Sequence, residues 1–435
     1  MNITFTSQKI LSAEIWFLFA LSALSLFWIQ LLPLITLAAI FFWTIRLIGN
    51  GYLTMRTPAD WGIGLLCLAM LVTVYATTTL EKTMIQVWRF LAGIALFYAI
   101  VNWCSSHSRI RLLFTGLTLA GLGLALFAPF SVLWTFDKIT FIPELFYRYF
   151  SILVSDSANP SVMAGSLVIL LPFPLSILIF RWKRAGKIDK MLAALAFSLM
   201  MVMLILTRAR SAWTATAAVF LTFLLLFDRR SWILIFLGIV ILIALVMVLG
   251  DMQILEVLLY SNTVGDLDTR LEIWSRALIL IRDFPYTGVG MGSFQEAAET
   301  FFAYDQYAPA YIPHAHNIFM QVAVDLGMLG LVAWCSIFLT MIYLSWRFFR
   351  YGKLKGEQLI MASCAALLAS QIALIINGLT DAVVWGMVRP APLVWVIWGY
   401  AAAISIYSIN RVKHFQTLKH EGSTPEFNPN LNQMN

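Results

Sequence analysis

The chain has 435 residues, 61% of them hydrophobic and only 12% charged, with a mean hydropathy of +0.84. A soluble domain keeps about a quarter of its residues charged, so this composition excludes an ordinary soluble fold and points to membrane spans of roughly 20 residues each. The formal charge of +7 would suit a nucleic-acid partner only if it were clustered, and its distribution argues for topology instead.

Read in chain order, the apolar runs predict an all-α membrane protein of about twelve transmembrane helices. They fall over 13–30, 32–48, 62–80, 84–102, 112–130, 161–180, 190–207, 212–227, 231–250, 316–346, 358–379 and 386–408. The first run is too long for a signal-peptide core and leads almost directly into the next, so a retained helix is expected. Alternate loops hold Lys9, Arg46, Arg56, Arg109, Arg111, Arg181, Lys183, Arg184, Lys187, Lys190, Arg229, Arg230, Arg347, Arg350, Lys353, Lys355, Arg411, Lys413 and Lys419. The other side holds about half as many, which makes the basic side cytoplasmic, places both termini there, and leaves no role for nucleic acid.

The expected organisation is N-terminal helices over 1–130, an outer loop at 131–160, helices over 161–250, a large outer loop at 251–315, C-terminal helices over 316–410, and a polar, disordered tail at 411–435. Cys67, Cys104, Cys335 and Cys364 lie far apart in or beside apolar runs, with no metal-ligand or disulfide pattern. The Gly-rich stretch at 288–292 follows Pro285 rather than a strand and has no phosphate-loop lysine, so it is a weak nucleotide signal.

Chemistry-bearing residues gather on the outer side. His314 and His316 stand at the end of the large loop, with His316 and Asn317 at the entry to a span. The positive end of a helix dipole disfavours imidazolium there, so His316 is a candidate general base, against the plainer reading of a wet or capping histidine. A metal would need a further ligand, and none stands out, so neither metal nor cofactor is expected. The turn Thr207-Arg208-Ala209-Arg210 puts two arginines at the membrane boundary, either snorkelling to headgroups or binding a phosphate at that depth.

Next, 268–283 reads as an amphipathic helix capped by Asp268. Trp274, Ala277 and Ile281 form its apolar face and Glu272, Arg276 and Asp283 the opposite one. Arg270 projects from the apolar face and therefore needs a partner: Asp266, Asp268 or a substrate phosphate. Asn377 and Asp381 end a span near Arg389, as a structural cluster or part of an acceptor site. Asp325, ahead of Gly327 and Gly330, is an intramembrane acid, either functional or paired with an arginine.

Three of these elements resemble the O-antigen ligase and polymerase superfamily. His316-Asn317, nine residues and then Gly327-Met328-Leu329-Gly330 match the ligase signature, although Leu331 stands where Thr or Val is usual. The turn around Arg210 is similar to the family's Ser-Arg-Gly turn, with Ala209 and Ser211 as its neighbours. The run from Arg270 through Trp274 to Pro285, Gly288, Gly290 and Phe294 resembles the family's loop motif.

The resemblance covers roughly 195–345. It implies a bacterial inner-membrane enzyme, built like other all-helical glycosyltransferases with polyprenyl-linked donors (GT-C-like) and working on the periplasmic face. Its donor would be an undecaprenyl-pyrophosphate-linked glycan, and its acceptor lipid A-core or a growing glycan, with protein as a further alternative. Membrane lipids surround it. On that reading Arg210 and Arg270 clamp the pyrophosphate and His316 is the catalytic base, without metal. Arg208, His314, Asn317, Trp274, Asp381 and Arg389 line the substrate. The competing class is a transporter of an anion or lipid-linked glycan, which would place charges at the bilayer midplane rather than at one surface.

Overall fold

A computed structural model describes residues 3–132, 159–207, 209–227, 267–301, 314–382, 385 and 391–420. These residues form helices and turns, without strands. The helices are α1 (Ile3–Ser25), α2 (Leu32–Asn50), α3 (Asp60–Ala76), α4 (Leu80–Trp103), α5 (His107–Ser131), α6 (Pro160–Leu170) and α7 (Pro172–Phe180). They continue with α8 (Lys187–Leu206), α9 (Arg210–Phe227), α10 (Leu267–Asp283), α11 (Phe294–Phe301), α12 (Ile318–Lys355), α13 (Gln358–Gly378) and α14 (Pro392–His420).

Among the described residues, nine helical segments are long and apolar enough to cross a membrane, and α3 is a shorter apolar helix where a span over 62–80 was expected. The chain is therefore an all-α, multi-pass membrane protein. A lipid-exposed backbone must satisfy its own N–H and C=O groups, which is why long apolar runs become helices here. The spans expected over 13–30 and 386–408 begin or end elsewhere: the first helix starts at Ile3, and α14 runs on to His420, so residues 411–420 of the expected disordered tail are helical. The expected span at 231–250, most of the 131–160 loop and the end of the tail lie outside the described residues.

Helices α4, α6–α7, α13 and α14 are mostly buried within the bundle, whereas α2, α8 and α9 turn most of their surface outward. Trp334 of α12 packs against Trp398 of α14 at 4.6 Å and against Trp385 at 4.9 Å between ring centroids. Phe90 of α4 reaches Trp395 at 5.3 Å, so an aromatic cluster joins three helices at the centre. Near the bundle's edge Arg46 of α2 is buried and paired with Glu14 of α1, and its Nη1 also donates to the Leu53 carbonyl at 3.1 Å. Arg46 thus departs from its expected place among loop charges, because its partner neutralises it inside the fold.

Helix α12 is not continuous. Gly327 has φ 68° and ψ −176°, a conformation that stops the hydrogen-bond ladder inside a span. The backbone groups this frees are taken up by residues 285–289, which follow α10. The Met328 N–H donates to the Pro285 carbonyl at 2.7 Å, and the Val289 N–H donates to the Val324 carbonyl at 2.8 Å. Contact is too close for side chains. A Cβ on Gly327 would stand 2.8 Å from the Pro285 oxygen, and one on Gly288 (φ 66°) 2.5 Å from the Asp325 carbonyl oxygen.

The same segment is fastened further along its length. Ser293 Oγ lies 2.5 Å from Thr79 Oγ1 and 3.2 Å from Thr77 Oγ1, and Glu296 of α11 pairs with Lys82 of α4. Helix α10 lies on α12 with Ile273, Ala277 and Leu280 buried. That face is rotated from the expected one. Leu271 and Leu278 are exposed, while Arg276 is buried and paired with Glu272 one turn away. The ion pair lets the arginine's apolar stem go inward, which a simple division into apolar and charged faces does not anticipate. The helix also begins at Leu267, so Asp268 sits in its first turn and is not its cap.

Gly327→Ala is expected to cost about 3 kcal/mol, combining backbone strain with overpacking against Pro285. Gly356→Ala, also at positive φ but with nothing within 4 Å, should cost only about 1 kcal/mol. Unfolding midpoints in detergent would compare the two, and equal losses would count against the docked break.

Candidate active site

The site is built around four residues, 314–317. Asn317 caps α12, its Oδ1 accepting from the Phe319 and Met320 N–H groups at 3.0 and 3.1 Å, as expected of Asn at this position. Its Nδ2 donates to the Leu379 carbonyl at 3.1 Å, tying the start of α12 to the end of α13. Asn317 is therefore structural in its visible contacts. Ala315 is fully buried and pinned from two sides: its N–H donates to Gln321 Oε1 at 2.7 Å, and its carbonyl accepts from Trp274 Nε1 of α10 at 3.1 Å.

Between these anchors His316 adopts φ 48°, the only left-handed conformation of a non-glycine residue among the described residues. Such strain persists only where neighbours over-determine it. The His314 and His316 rings lie 4.2 Å apart, and the His316 N–H donates to His314 Nδ1 at 3.2 Å.

Charged groups converge on this loop from three other elements. Arg270, near the start of α10, is half-buried, and burial is the main cause that weakens its hold on a proton. Asp381 opposes that effect and Arg210 adds to it. Asp381 follows the end of α13, and its Oδ1 accepts from the Ala382 N–H at 2.8 Å. Burial raises its pKa, against the lowering influence of His316, the Ala382 N–H and Arg270. His316 is held down to about 4 by burial first, then by His314 and Arg270, with Asp381 pulling the other way. His314 is held down to about 4 by burial. The neutral imidazole expected from the helix dipole is thus present chiefly for another reason, desolvation.

His314, His316 and Asp381 bring one possible ligand atom each within 4.8 Å of one another, so Asp381 supplies the third donor that the sequence did not disclose. Three such donors resemble a three-ligand catalytic zinc set. The hydrogen bond within the loop opposes this use. His314 Nδ1 spends its lone pair on the His316 N–H, which puts the neutral ring's proton on Nε2 and leaves no free lone pair for a metal.

Of the residues singled out in the sequence, Arg210, Arg270, His314, His316 and Asp381 come together, and Trp274 and Asn317 hold the loop from either side. Arg208 and Arg389 lie outside the described residues, as does Asp266, one of the partners considered for Arg270. Asp325 is not paired with a described arginine, because Gln321, Trp385 and the Gly292 N–H surround its carboxylate. Gln321 and Trp385 escaped the sequence reading. The signal for Gln321 was its spacing, four residues after Asn317 and four before Asp325 on one helical face.

No curated protein matches the chain. A family model does: residues 195–335 match the one described as O-antigen ligase. The match runs from within α8 to the middle of α12 and so contains Arg210, Arg270, His314 and His316. Over this segment, which is less than half of the chain, the protein is similar to the O-antigen ligase family.

Proposed function

We propose that this protein transfers an undecaprenyl-pyrophosphate-linked glycan to a hydroxyl acceptor at the periplasmic face of the inner membrane, with lipid A-core as the favoured acceptor. The observation that carries the reading is that Arg210 and Arg270, from separate helices, lie close enough to influence each other, with Arg270 beside a partly buried His316 held neutral. Two guanidinium groups that disfavour each other, one of them partly desolvated, form a site prepared for a doubly charged anion. A pyrophosphate would accept from both guanidinium forks and offset their mutual repulsion.

Pyrophosphate is already a good leaving group, so the heavier demand is on the nucleophile. His316 takes the proton from the acceptor hydroxyl as the oxygen attacks C1 of the donor sugar, inverting that centre. The C1–O bond to pyrophosphate breaks, and the arginines hold the departing anion. A base with a pKa of about 4 is weak at rest. Asp381 favours the imidazolium, and so does the bound anion, so basicity rises when the donor arrives.

His316→Ala should reduce turnover by about 10²- to 10⁴-fold while donor affinity is largely kept. Arg210→Ala and Arg270→Ala should each cost about 10²- to 10³-fold, and lysine should rescue neither fully, since it lacks the planar fork. In cells lacking the gene, ligation predicts polymer accumulating on the polyprenyl carrier and absent from lipid A-core, a defect the His316→Ala copy leaves uncorrected. A single repeat on lipid A-core would reassign the protein as a polymerase, and an unchanged glycan profile would remove the assignment altogether.

The lowered pKa fixes the pH dependence. The base form of His316 dominates at every pH above about 4. The ratio kcat/KM, which reports the free enzyme, should therefore hold level down to roughly pH 5, whereas an unperturbed histidine would already be failing near 6.5. Dialysis against a chelator should leave turnover intact. Loss of activity that zinc restores would recast His314, His316 and Asp381 as ligands.

A further inference from the structure

A buried acid outside this cluster is Asp325, which is 1% exposed and lies two residues before the break in α12. Its Oδ1 accepts from Gln321 Nε2 at 2.8 Å and, more loosely, from the Gly292 N–H at 3.4 Å. Its Oδ2 accepts from Trp385 Nε1 at 2.7 Å. The residue's own carbonyl accepts from Thr73 Oγ1 of α3 at 2.5 Å. Every partner of the carboxylate is an N–H donor, so the side chain must present acceptors only, which an ionised aspartate does and an amide does not.

Each partner leads to a different part of the site. Gln321 turns its Oε1 to the Ala315 N–H, between His314 and His316. Trp385 comes four residues after Asp381 on the same loop, and its ring packs on Trp334. Gly292 belongs to the segment that docks α10, and with it Arg270, onto the broken helix. One carboxylate therefore joins the supports of the base, the acid and the clamp.

We infer that Asp325 is a positioning residue, setting the His314–His316 loop against Asp381 and Arg270 through Gln321 and Trp385. This rests on the transferase reading above, because it concerns the geometry of that reaction. Networks of this kind act as a unit: a buried carboxylate left short of a partner loses the rest of its arrangement as well.

The test exploits the polarity of the Asp325–Gln321 contact. Asp325→Asn turns one N–H donor toward another, and Gln321→Glu sets two carboxylates together. Combined, they reverse the bond. The new amide donates to the new carboxylate, whose second oxygen still accepts from the Ala315 N–H, while the amide oxygen accepts from Trp385 and only the loose Gly292 N–H contact is given up. Turnover would be read as polyprenyl pyrophosphate released from a polyprenyl-pyrophosphate-linked glycan with lipid A-core present, per folded protein in nanodiscs. Each single variant should lose about ten- to a hundredfold in kcat at an unchanged donor KM, as expected for displaced reacting groups. The double variant should recover most of it.

Wild-type kcat in either single variant, or a double variant no better than both, would overturn the inference. A residue that merely stabilised the fold would lower the amount of folded protein and leave kcat per folded molecule unchanged. If Asp325→Asn does not fold, Trp385→Phe removes one donor and keeps a ring in place. It should again lower kcat without moving KM, and wild-type kcat there would refute the relay. His316→Ala in the same assay separates the two levels: full turnover in that variant would refute the transferase reading itself. An inactive His316→Ala beside a fully active Asp325→Asn would refute the positioning role alone.

Discussion

A helix cannot be interrupted inside a membrane unless something replaces the hydrogen bonds it gives up. At Gly327 this chain pays that cost with residues 285–289, which fill the gap with one donor and one acceptor. The exchange fixes more than α12. The segment that fills the break is the continuation of α10, so the break decides where Arg270 stands relative to the start of α12, where His316 stands. Without the interruption, the outer segment would lose these two backbone bonds to α12, leaving side-chain contacts such as Trp274 to the Ala315 carbonyl to hold Arg270 and His316 at one distance.

Electrostatics explains why such firm placement is required. Burial works against the charged forms of Arg270, His316 and Asp381 alike, and the neighbours of each only partly offset it. Solvent would screen and hydrate these groups if the loop could open. Held together in a partly desolvated corner, they bring cationic, anionic and imidazole groups into one cluster. The left-handed backbone of His316 belongs to the same logic, since its strain is sustained by bonds at Ala315 on one side and Asn317 on the other.

Much of this was legible in the sequence, for identifiable reasons. Long apolar runs forced the helices, and an arginine projecting from an apolar face at 270 announced that it needed a partner. The His316-Asn317 signature marked the start of a span, which is where α12 begins. What escaped were facts of three-dimensional convergence. Asp381 is 65 residues from His316 and carries no local pattern that aims it there. The rotation of α10 depends on Arg276 finding Glu272, an ion pair that carries an apolar stem inward. The break at Gly327 could not be seen because a glycine inside an apolar run is equally compatible with an intact membrane helix. Its meaning appears only when Gly288 is found pressed against the same turn.

The arrangement also weighs between transfer and transport. A carrier needs its charged residues near the midplane, reachable from each side in turn. Here Arg210 opens α9, His316 precedes α12, Asp381 follows α13, and Arg270 stands near the start of α10, a helix outside the bundle's spans. These are helix ends at one pole of the bundle. Asp325 lies deeper, yet its carboxylate oxygens are committed to N–H donors, with Trp385 closing over it and Trp334 and Phe90 packed on that ring. An acid so enclosed is poorly placed to pass a substrate onward. It is well placed to brace what lies above it, and that favours the one-sided site of the proposed transfer over a path through the bilayer.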